Sequence, residues 1–178
     1  PAAPKEFALY LRIPGWTSSA SILVNGAKVT GDVQPGRYFA VKRAWQKGDR
    51  VQLNLDMAVR PVVSHQLVRE NNGKVTVERG PLVYCMEQID QPADTIWHNA
   101  RLVLPPENPA SGFTVRKRDD LFGGVMTIEH AAETYEAADA LYAPLGRNAG
   151  ARPAKQFKLT LIPYYTFHNR GTTAMQVW

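Results

Sequence analysis

Residues 72–89 read NGKVTVERGPLVYCMEQI, and this stretch predicts two β-strands joined at a bend. In the first strand, valines alternate with Thr76 and Glu78, which is the period of a strand with one dry face and one wet face. Gly80-Pro81 then interrupts the pattern, because proline lacks a ladder donor and glycine permits a sharp bend. Residues 82–86 are apolar at every position, so we expect the second strand to be buried on both faces.

The same alternation recurs on both sides of this stretch. Residues 50–57 carry four apolar side chains on one face and three polar ones on the other, and residues 6–13 show a similar apolar face. Asn25-Gly26 favours a two-residue hairpin, because both positions tolerate a positive φ. Further strands are expected at 20–24, 27–30, 37–43, 59–63, 101–104, 112–118, 124–129, 157–162 and 173–178.

These elements predict an all-β protein. At least nine strands bear more apolar faces than one sheet can bury, so we expect an antiparallel β-sandwich of the jelly-roll kind. Residues 131–141 are rich in Ala and Glu and score as helix on propensity, but they lack an apolar stripe. A loop or one or two helical turns is expected there. Four prolines within residues 91–109 indicate a domain boundary.

Composition narrows the class of protein. Lys and Arg total 21 against 16 acidic residues, and the hydrophobic share is 44%, with no apolar run near the roughly 18 residues that a membrane span needs. Cys85 is the only cysteine, which excludes a disulfide or a multi-cysteine metal site within this chain. The start, PAAP, has no initiator Met, basic segment or apolar signal core, as expected of an excised piece or a processed product.

Candidate catalytic groups are scattered along the chain. The four histidines are His65, His98, His130 and His168. They lie at least 32 residues apart and none has a spacing such as H-x-x-x-H, so no metal site is predicted. No G-x-S-x-G motif occurs, and Ser64 is merely adjacent to His65. Cys85 lies within LVYCM, where desolvation raises the pKa of a thiol, so we interpret it as an inert core residue.

Two further groups of residues are candidates for a sugar site. A glycosidase needs two carboxyl groups that face each other across a cleft, but Glu87 and Asp90, at the end of a strand, are expected to be solvated charges. Aromatic side chains could form a platform for a sugar ring, although core or interface positions are commoner for them in a sandwich. The aromatic candidates are Trp16, Trp45, Trp97, Tyr38 and Tyr164.

Basic residues raise the question of nucleic acid. Basic and aromatic residues interleave at 37–39 and 42–45, but no RNP-type motif accompanies them. The only tight basic cluster, Arg116-Lys117-Arg118, is interpreted as a solvated strand face. We therefore predict no catalytic, cofactor-binding or metal-ligating residue in this chain, and neither nucleic acid nor a membrane is expected as a partner.

Three segments stand in order along the chain. They are LRIPGW at 11–16, GKV at 73–75 leading to RGPLVY at 79–84, and LIPYY at 161–165 followed by NRG at 169–171 and MQVW at 175–178. In this order and at this spacing they resemble the C-terminal region of glycoside hydrolase family 127, formerly domain of unknown function 1680. The resemblance spans nearly the whole chain and is weakest over residues 91–152.

That resemblance implies a bacterial β-L-arabinofuranosidase-like parent with an N-terminal (α/α)6 catalytic barrel followed by β-sandwich domains. The family's retaining chemistry uses a cysteine nucleophile beside a zinc held by cysteines and a glutamate, with a second glutamate as acid/base. None of these residues is matched here, since Cys85 belongs to the sandwich motif, so zinc is implied only for the catalytic barrel.

The resemblance also implies a domain organisation. Residues 1–90 plus 157–178 would form the β-sandwich domain, and residues 91–156 would form a smaller β subdomain inserted before the last strands. Residues 157–178 are therefore expected to pair back with the first domain.

The leading hypothesis is a non-catalytic C-terminal module that packs against the catalytic barrel of the same polypeptide. The alternative is a carbohydrate-binding module that uses exposed Trp or Tyr. A self-sufficient hydrolase ranks last, because no nucleophile and base are recognised.

Overall fold

A computed structural model describes residues 1, 3–93, 99–136 and 152–177. Within this part the chain is all-β with antiparallel sheets, which confirms the predicted fold class. The strands are β1 Lys5–Arg12, β2 Ala20–Val24, β3 Ala27–Lys28, β4 Tyr38–Trp45, β5 Val51–Leu55, β6 Val59–Val62, β7 Thr76–Arg79, β8 Leu82–Glu87, β9 Ala100–Leu102, β10 Thr114–Arg118, β11 Val125–Glu136, β12 Arg152–Pro163 and β13 Met175–Gln176. Short 3-10 turns lie at Arg69–Asn71, Gln88–Asp90 and Tyr164–Thr166. None of the described helical turns has the length and apolar character that crossing a membrane requires.

The chain forms two compact units. One comprises Pro1–Ala58 with Arg79–Pro81, and the other comprises Val59–Glu78 with Leu82–Trp178.

The first unit has two layers. Strands β1 and β4 pair antiparallel along eight residues, and β3, β2 and β5 form a three-stranded sheet. Apolar side chains from both sheets enclose one core, made of Ile13, Ile22, Val24, Val41 and Trp45. The predicted hairpin is present, because Asn25 and Gly26 have φ of 52° and 82° and join β2 to β3.

The second unit is built on one curled, half-barrel sheet. Its strand order is β10-β11-β12-β8-β7-β6, with β13 beside β8 and β9 beside β11. Side chains from β7, β8, β11 and β12 meet in a single core: Val77, Tyr84, Met86, Ile128, Ala132, Leu159 and Leu161. The curvature of this sheet lets several of its own strands share the core.

The stretch at 72–89 forms a hairpin. Strands β7 and β8 are neighbours in the sheet, and the Gly80-Pro81 connection reverses the chain between them. Gly80 has φ of 58°, as the first central position of a two-residue II′ turn requires. Burial of β8 is as predicted from Tyr84 onward, whereas Val83 is exposed. Thr76 was predicted to face solvent, and this was wrong, because it is buried.

The expectation of a loop or helical turns at 131–141 was also wrong where the structure describes the chain. Strand β11 continues to Glu136, because β12 pairs with it on one side and β9 on the other. Ala132 packs into the core on this strand, so pairing and burial override the helical propensity of alanine. Residues 137–141 lie outside the described part.

The compact units differ from the predicted domains. The division follows Ala58, whereas 1–90 plus 157–178 was expected as one domain with 91–156 inserted. The physical reason is that β10 and β11, from the expected insert, share a continuous sheet with β8 and β12. The return of the chain after residue 157 does pair with β8, through Leu161 opposite Met86 and Ile162 opposite Cys85.

Candidate functional site

A buried group of three ionisable side chains lies where β8 ends. Glu87 is the last residue of β8, Asp90 ends the 3-10 turn that follows, and Arg170 comes from the C-terminal segment. Arg170 Nη1 donates to Asp90 Oδ1 at 2.7 Å, and Nη2 donates to both carboxylates. The side chains of Glu87, Asp90 and Arg170 are 0%, 5% and 18% exposed. The prediction that the two acids are solvated was therefore wrong.

This Arg170 cluster (Glu87, Asp90 and Arg170) is reinforced by the main chain. The amide of His168 donates to Glu87 Oε1 at 2.9 Å, and the amide of Gln88 donates to the carbonyl oxygen of Ala174 at 2.9 Å. Hydrogen bonds to charged groups are stronger than neutral ones, and a buried charge needs them. The cluster thus holds the C-terminal segment against the end of β8.

Gln91 adds a second tie next to the cluster. Its Nε2 donates to the carbonyl oxygens of Glu87, at 2.9 Å, and Thr160, at 2.8 Å. Its Oε1 accepts from the amide of Thr160 at 3.2 Å. The amide side chain of Gln91 therefore joins the end of β8 to β12.

The electrostatics of this region favour structure over proton transfer. Burial raises the pKa of Cys85 to about 12, and the nearby carboxylates of Glu87 and Asp90 act in the same direction. The hydrogen bond to Asp90 raises the pKa of Arg170 above its usual value, so the guanidinium stays charged. The predicted burial of Cys85 is confirmed.

The described histidines lie apart and have separate contacts. His65 is exposed, and its Nδ1 accepts from the amide of Leu67 at 3.2 Å. His130 is buried, with Nδ1 2.7 Å from the carbonyl oxygen of Ala131 and Nε2 3.1 Å from that of Ser111. His168 is exposed beside the ring of Phe167, and His98 lies outside the described residues.

The residues present do not fit the zinc that the family resemblance implies for the catalytic barrel. Among the described residues, no three His, Cys, Asp or Glu side chains come together as metal ligands. Cys85 is the single thiol, and the carboxylates nearest to it are already bound to Arg170.

The candidate sugar-binding aromatics separate into different environments. Trp45 is in the core, and its Nε1 donates to the carbonyl oxygen of Phe7 at 3.0 Å. Trp16 is half-buried, while Tyr38 and Tyr164 are exposed and belong to different units. Trp97 lies outside the described residues.

Sequence reasoning missed several exposed aromatic residues, of which Tyr10 lies beside a candidate that was named. Tyr10 lies near Tyr38 on the outer face of β1 and β4. The alternation of the sequence could have predicted the exposure of Tyr10, because Tyr10 and Arg12 alternate with Leu9 and Leu11, which pack against the core.

The basic cluster at 116–118 is charge-paired, which agrees with a solvated strand face. Arg116 Nε lies 2.6 Å from Glu129 Oε2, and Arg118 Nη2 lies 2.6 Å from Asp120 Oδ2. Lys117 pairs with Asp119 at 2.5 Å. Each cation therefore has an acidic neighbour within the chain.

A cavity of about 410 Å³ opens inside the curled sheet. Its apolar lining comes from core residues of β7, β8 and β12, and polar side chains stand at its rim. Two of these rim groups are engaged within the chain, since Asn99 Nδ2 donates to the carbonyl oxygen of Tyr135 and the Arg101 guanidinium lies 4.0 Å from the centre of that ring. The cavity is continuous with the core that the sheet encloses.

The described chain is thus a β-rich protein of two compact units whose clustered charges form ion pairs. Comparison with known families matches residues 1–57 to the family model described as "Beta-L-arabinofuranosidase, GH127 middle domain" and residues 59–178 to "Glycoside hydrolase family 127 C-terminal domain". The chain belongs to glycoside hydrolase family 127. The two matches meet where the compact units divide.

Individual proteins that are similar to this chain belong to the same family. A non-reducing end β-L-arabinofuranosidase of Bifidobacterium longum subsp. longum is 40% identical over 177 residues, covering 94% of this chain and 25% of the relative. The crystal structure of a GH127 β-L-arabinofuranosidase from Geobacillus stearothermophilus T6 has a TM-score of 0.80 and 36% identity, covering 100% of this chain and 27% of that one. A further GH127 β-arabinofuranosidase structure has a TM-score of 0.78 and 31% identity, covering 99% and 28%. The chain therefore spans about a quarter of the length of the relatives it matches.

Proposed function

We propose that this chain is a non-catalytic β module of a glycoside hydrolase resembling the β-L-arabinofuranosidases, and that it supports the catalytic domain of the same polypeptide. One observation carries the proposal. Three described groups of the second unit that lie close together and could do acid, base or nucleophilic chemistry, Cys85, Glu87 and Asp90, are buried in structural contacts.

The chemistry of these groups supports the assignment. A cysteine nucleophile acts as the thiolate, and burial raises the pKa of Cys85 to about 12, so its thiol stays protonated at neutral pH. A retaining pair of carboxyl groups must face a substrate, whereas Glu87 and Asp90 both face Arg170. The length ratio to the relatives supports a role beside further domains.

A carbohydrate-binding module is the second candidate, favoured by the exposure of Tyr38 and Tyr164. Aromatic faces suit the apolar face of a sugar ring. Titration calorimetry of the chain with arabinan fragments and hydroxyproline-linked arabinosides would measure heat if this candidate were correct. The leading proposal expects none.

The leading proposal is tested by incubating the purified chain with a nitrophenyl β-L-arabinofuranoside. We expect nitrophenol release at the rate of buffer alone. Release at an enzyme-like rate that is lost in Cys85→Ala would contradict the proposal, because it would make Cys85 a catalytic residue.

A further inference from the structure

The outer face of the β1–β4 sheet has an unusual composition. Strand alternation and the antiparallel register place eight side chains on this face, which we call the Tyr10 face. They are Glu6, Ala8, Tyr10 and Arg12 from β1, and Tyr38, Ala40, Lys42 and Ala44 from β4. Lys42 Nζ lies 3.4 Å from Glu6 Oε1, so these two charges offset each other.

Four of these residues form a compact block. Tyr10 is directly opposite Ala40, and Arg12 is directly opposite Tyr38. Because the side chain of Ala40 is small, the rings of Tyr10 and Tyr38 and the guanidinium of Arg12 project beyond it. Tyr10 and Tyr38 are 65% and 66% exposed, and neither they nor Arg12 makes a side-chain hydrogen bond, ion pair or ring contact within the part of the chain that the structure describes.

The composition and shape of the face favour a protein as its occupant. Tyr and Arg are enriched among the residues that dominate binding energy at protein interfaces. Sites for small ligands are concave, whereas this is one face of a two-stranded sheet, and neither the cavity inside the curled sheet nor the groove beside His130 includes any of the four residues.

Two observations identify the kind of protein surface. The relatives that this chain matches are about four times as long, so a glycosidase of this family has a large body of chain beside this module. Arg12 has no carboxylate partner among the described residues. The whole chain has a formal net charge of +5. A surface that complements the face would offer a carboxylate to Arg12 and apolar contact to the rings.

We propose that the Tyr10 face is the docking surface for the catalytic domain of the same polypeptide, with Tyr10 and Tyr38 as the aromatic anchors and Arg12 paired to an acidic side chain of that domain. This inference rests on the proposed function, which it deepens by naming the surface of contact.

The test compares thermal unfolding of the full-length polypeptide with that of the present chain. The double variant Tyr10→Ala/Tyr38→Ala is expected to lower the Tm of the full-length polypeptide by roughly 2–3 °C, because two interface anchors are lost. It should lower the Tm of the present chain much less, since both rings are mostly exposed and make no hydrogen bond or ring contact with its described residues. Tyr10→Phe/Tyr38→Phe keeps the rings and should behave as the wild type, and Arg12→Glu should lower the full-length Tm more than Arg12→Lys.

Tyr165→Ala is the matched control, because Tyr165 is 63% exposed and lies in the other unit. It should leave both Tm values unchanged. The proposal is overturned if the double variant leaves the full-length Tm unchanged, if it lowers the Tm of the present chain equally, or if Tyr165→Ala has the same effect. Saccharide binding by the present chain that the double variant abolishes would also overturn it.

Failure of the docking surface is distinguishable from failure of the proposed function. If the present chain alone hydrolyses the nitrophenyl β-L-arabinofuranoside, the proposed non-catalytic function is refuted, whatever the Tm values show. If the double variant leaves the Tm of the full-length polypeptide unchanged and the present chain alone hydrolyses nothing, only the docking proposal fails.

Discussion

The guanidinium of Arg170 binds the carboxylate of Glu87, although 83 positions separate the two residues in the sequence. Glu87 is wholly buried, so Arg170 compensates its charge where water cannot. The same guanidinium binds Asp90, and the tail of the chain is thereby fixed to the end of β8. Both acids of this possible catalytic pair are thus bound by one cation.

We expect Arg170→Ala to lower the free energy of unfolding by about 3–5 kcal/mol, because it leaves two buried carboxylates without a cation. Urea denaturation monitored by circular dichroism measures the loss. Arg116→Ala is the control, since Arg116 is mostly exposed and its pair with Glu129 is worth about 1 kcal/mol or less. Equal losses in the two variants would contradict the structural role of the cluster.

The thiol of Cys85 predicts how stability depends on pH. The pKa of the thiol is raised to about 12 in the folded chain from its ordinary value of 9.0 in the unfolded chain, so between these values the folded state binds more protons. The free energy of unfolding should therefore be fully retained below pH 9 and fall as the pH rises towards 12, by at most about 1.4 kcal/mol per pH unit from this group.

Cys85→Ala isolates this contribution from other groups that titrate in the same range. Its unfolding free energy, measured in urea from pH 8 to pH 11, should decline less steeply than that of the wild type. Parallel curves for the two proteins would mean that the thiol ionises as easily in the folded chain as in the unfolded one.

The turn at Gly80 is sensitive to a side chain. Gly80 has φ of 58°, and an added Cβ would lie 2.6 Å from Met57 Cε. Gly80→Ala should lose about 1–2 kcal/mol from the backbone conformation and about 1 kcal/mol more from the contact. Gly123 has φ of 76°, and no atom lies within 4 Å of a Cβ added there. Gly123→Ala should therefore lose only the free energy that comes from the backbone conformation. Urea denaturation of both variants checks the difference, and a smaller loss at Gly80 would contradict the contact.

Local signals predicted the local structure well. The alternation at 50–57 gave β5 because period-2 burial is encoded residue by residue, and Asn25-Gly26 gave a hairpin because its φ preference is intrinsic. The run at 82–86 predicted burial from Tyr84 onward for the same reason. The Gly80-Pro81 bend was recognised, but its outcome as a hairpin depends on the pairing of β7 with β8.

Features that depend on residues distant in the sequence could not be predicted from local patterns. Glu87 and Asp90 are buried because Arg170 arrives from the end of the chain, and nothing near residue 87 indicates this. The strand through Ala132 exists because β12 and β9 flank it. The domain boundary near residue 91 was drawn from prolines, whereas the division after Ala58 follows from which strands share a sheet.

The central claim is that Cys85 and its neighbours hold structure and take no part in the reaction. The most direct measurement is kcat/KM of the full-length polypeptide carrying Cys85→Ala, on an aryl β-L-arabinofuranoside and normalised to folded protein. We predict a value within about twofold of the wild type, which is less than 0.5 kcal/mol in transition-state stabilisation. A loss of roughly a thousandfold in a variant that keeps its fold would contradict the account.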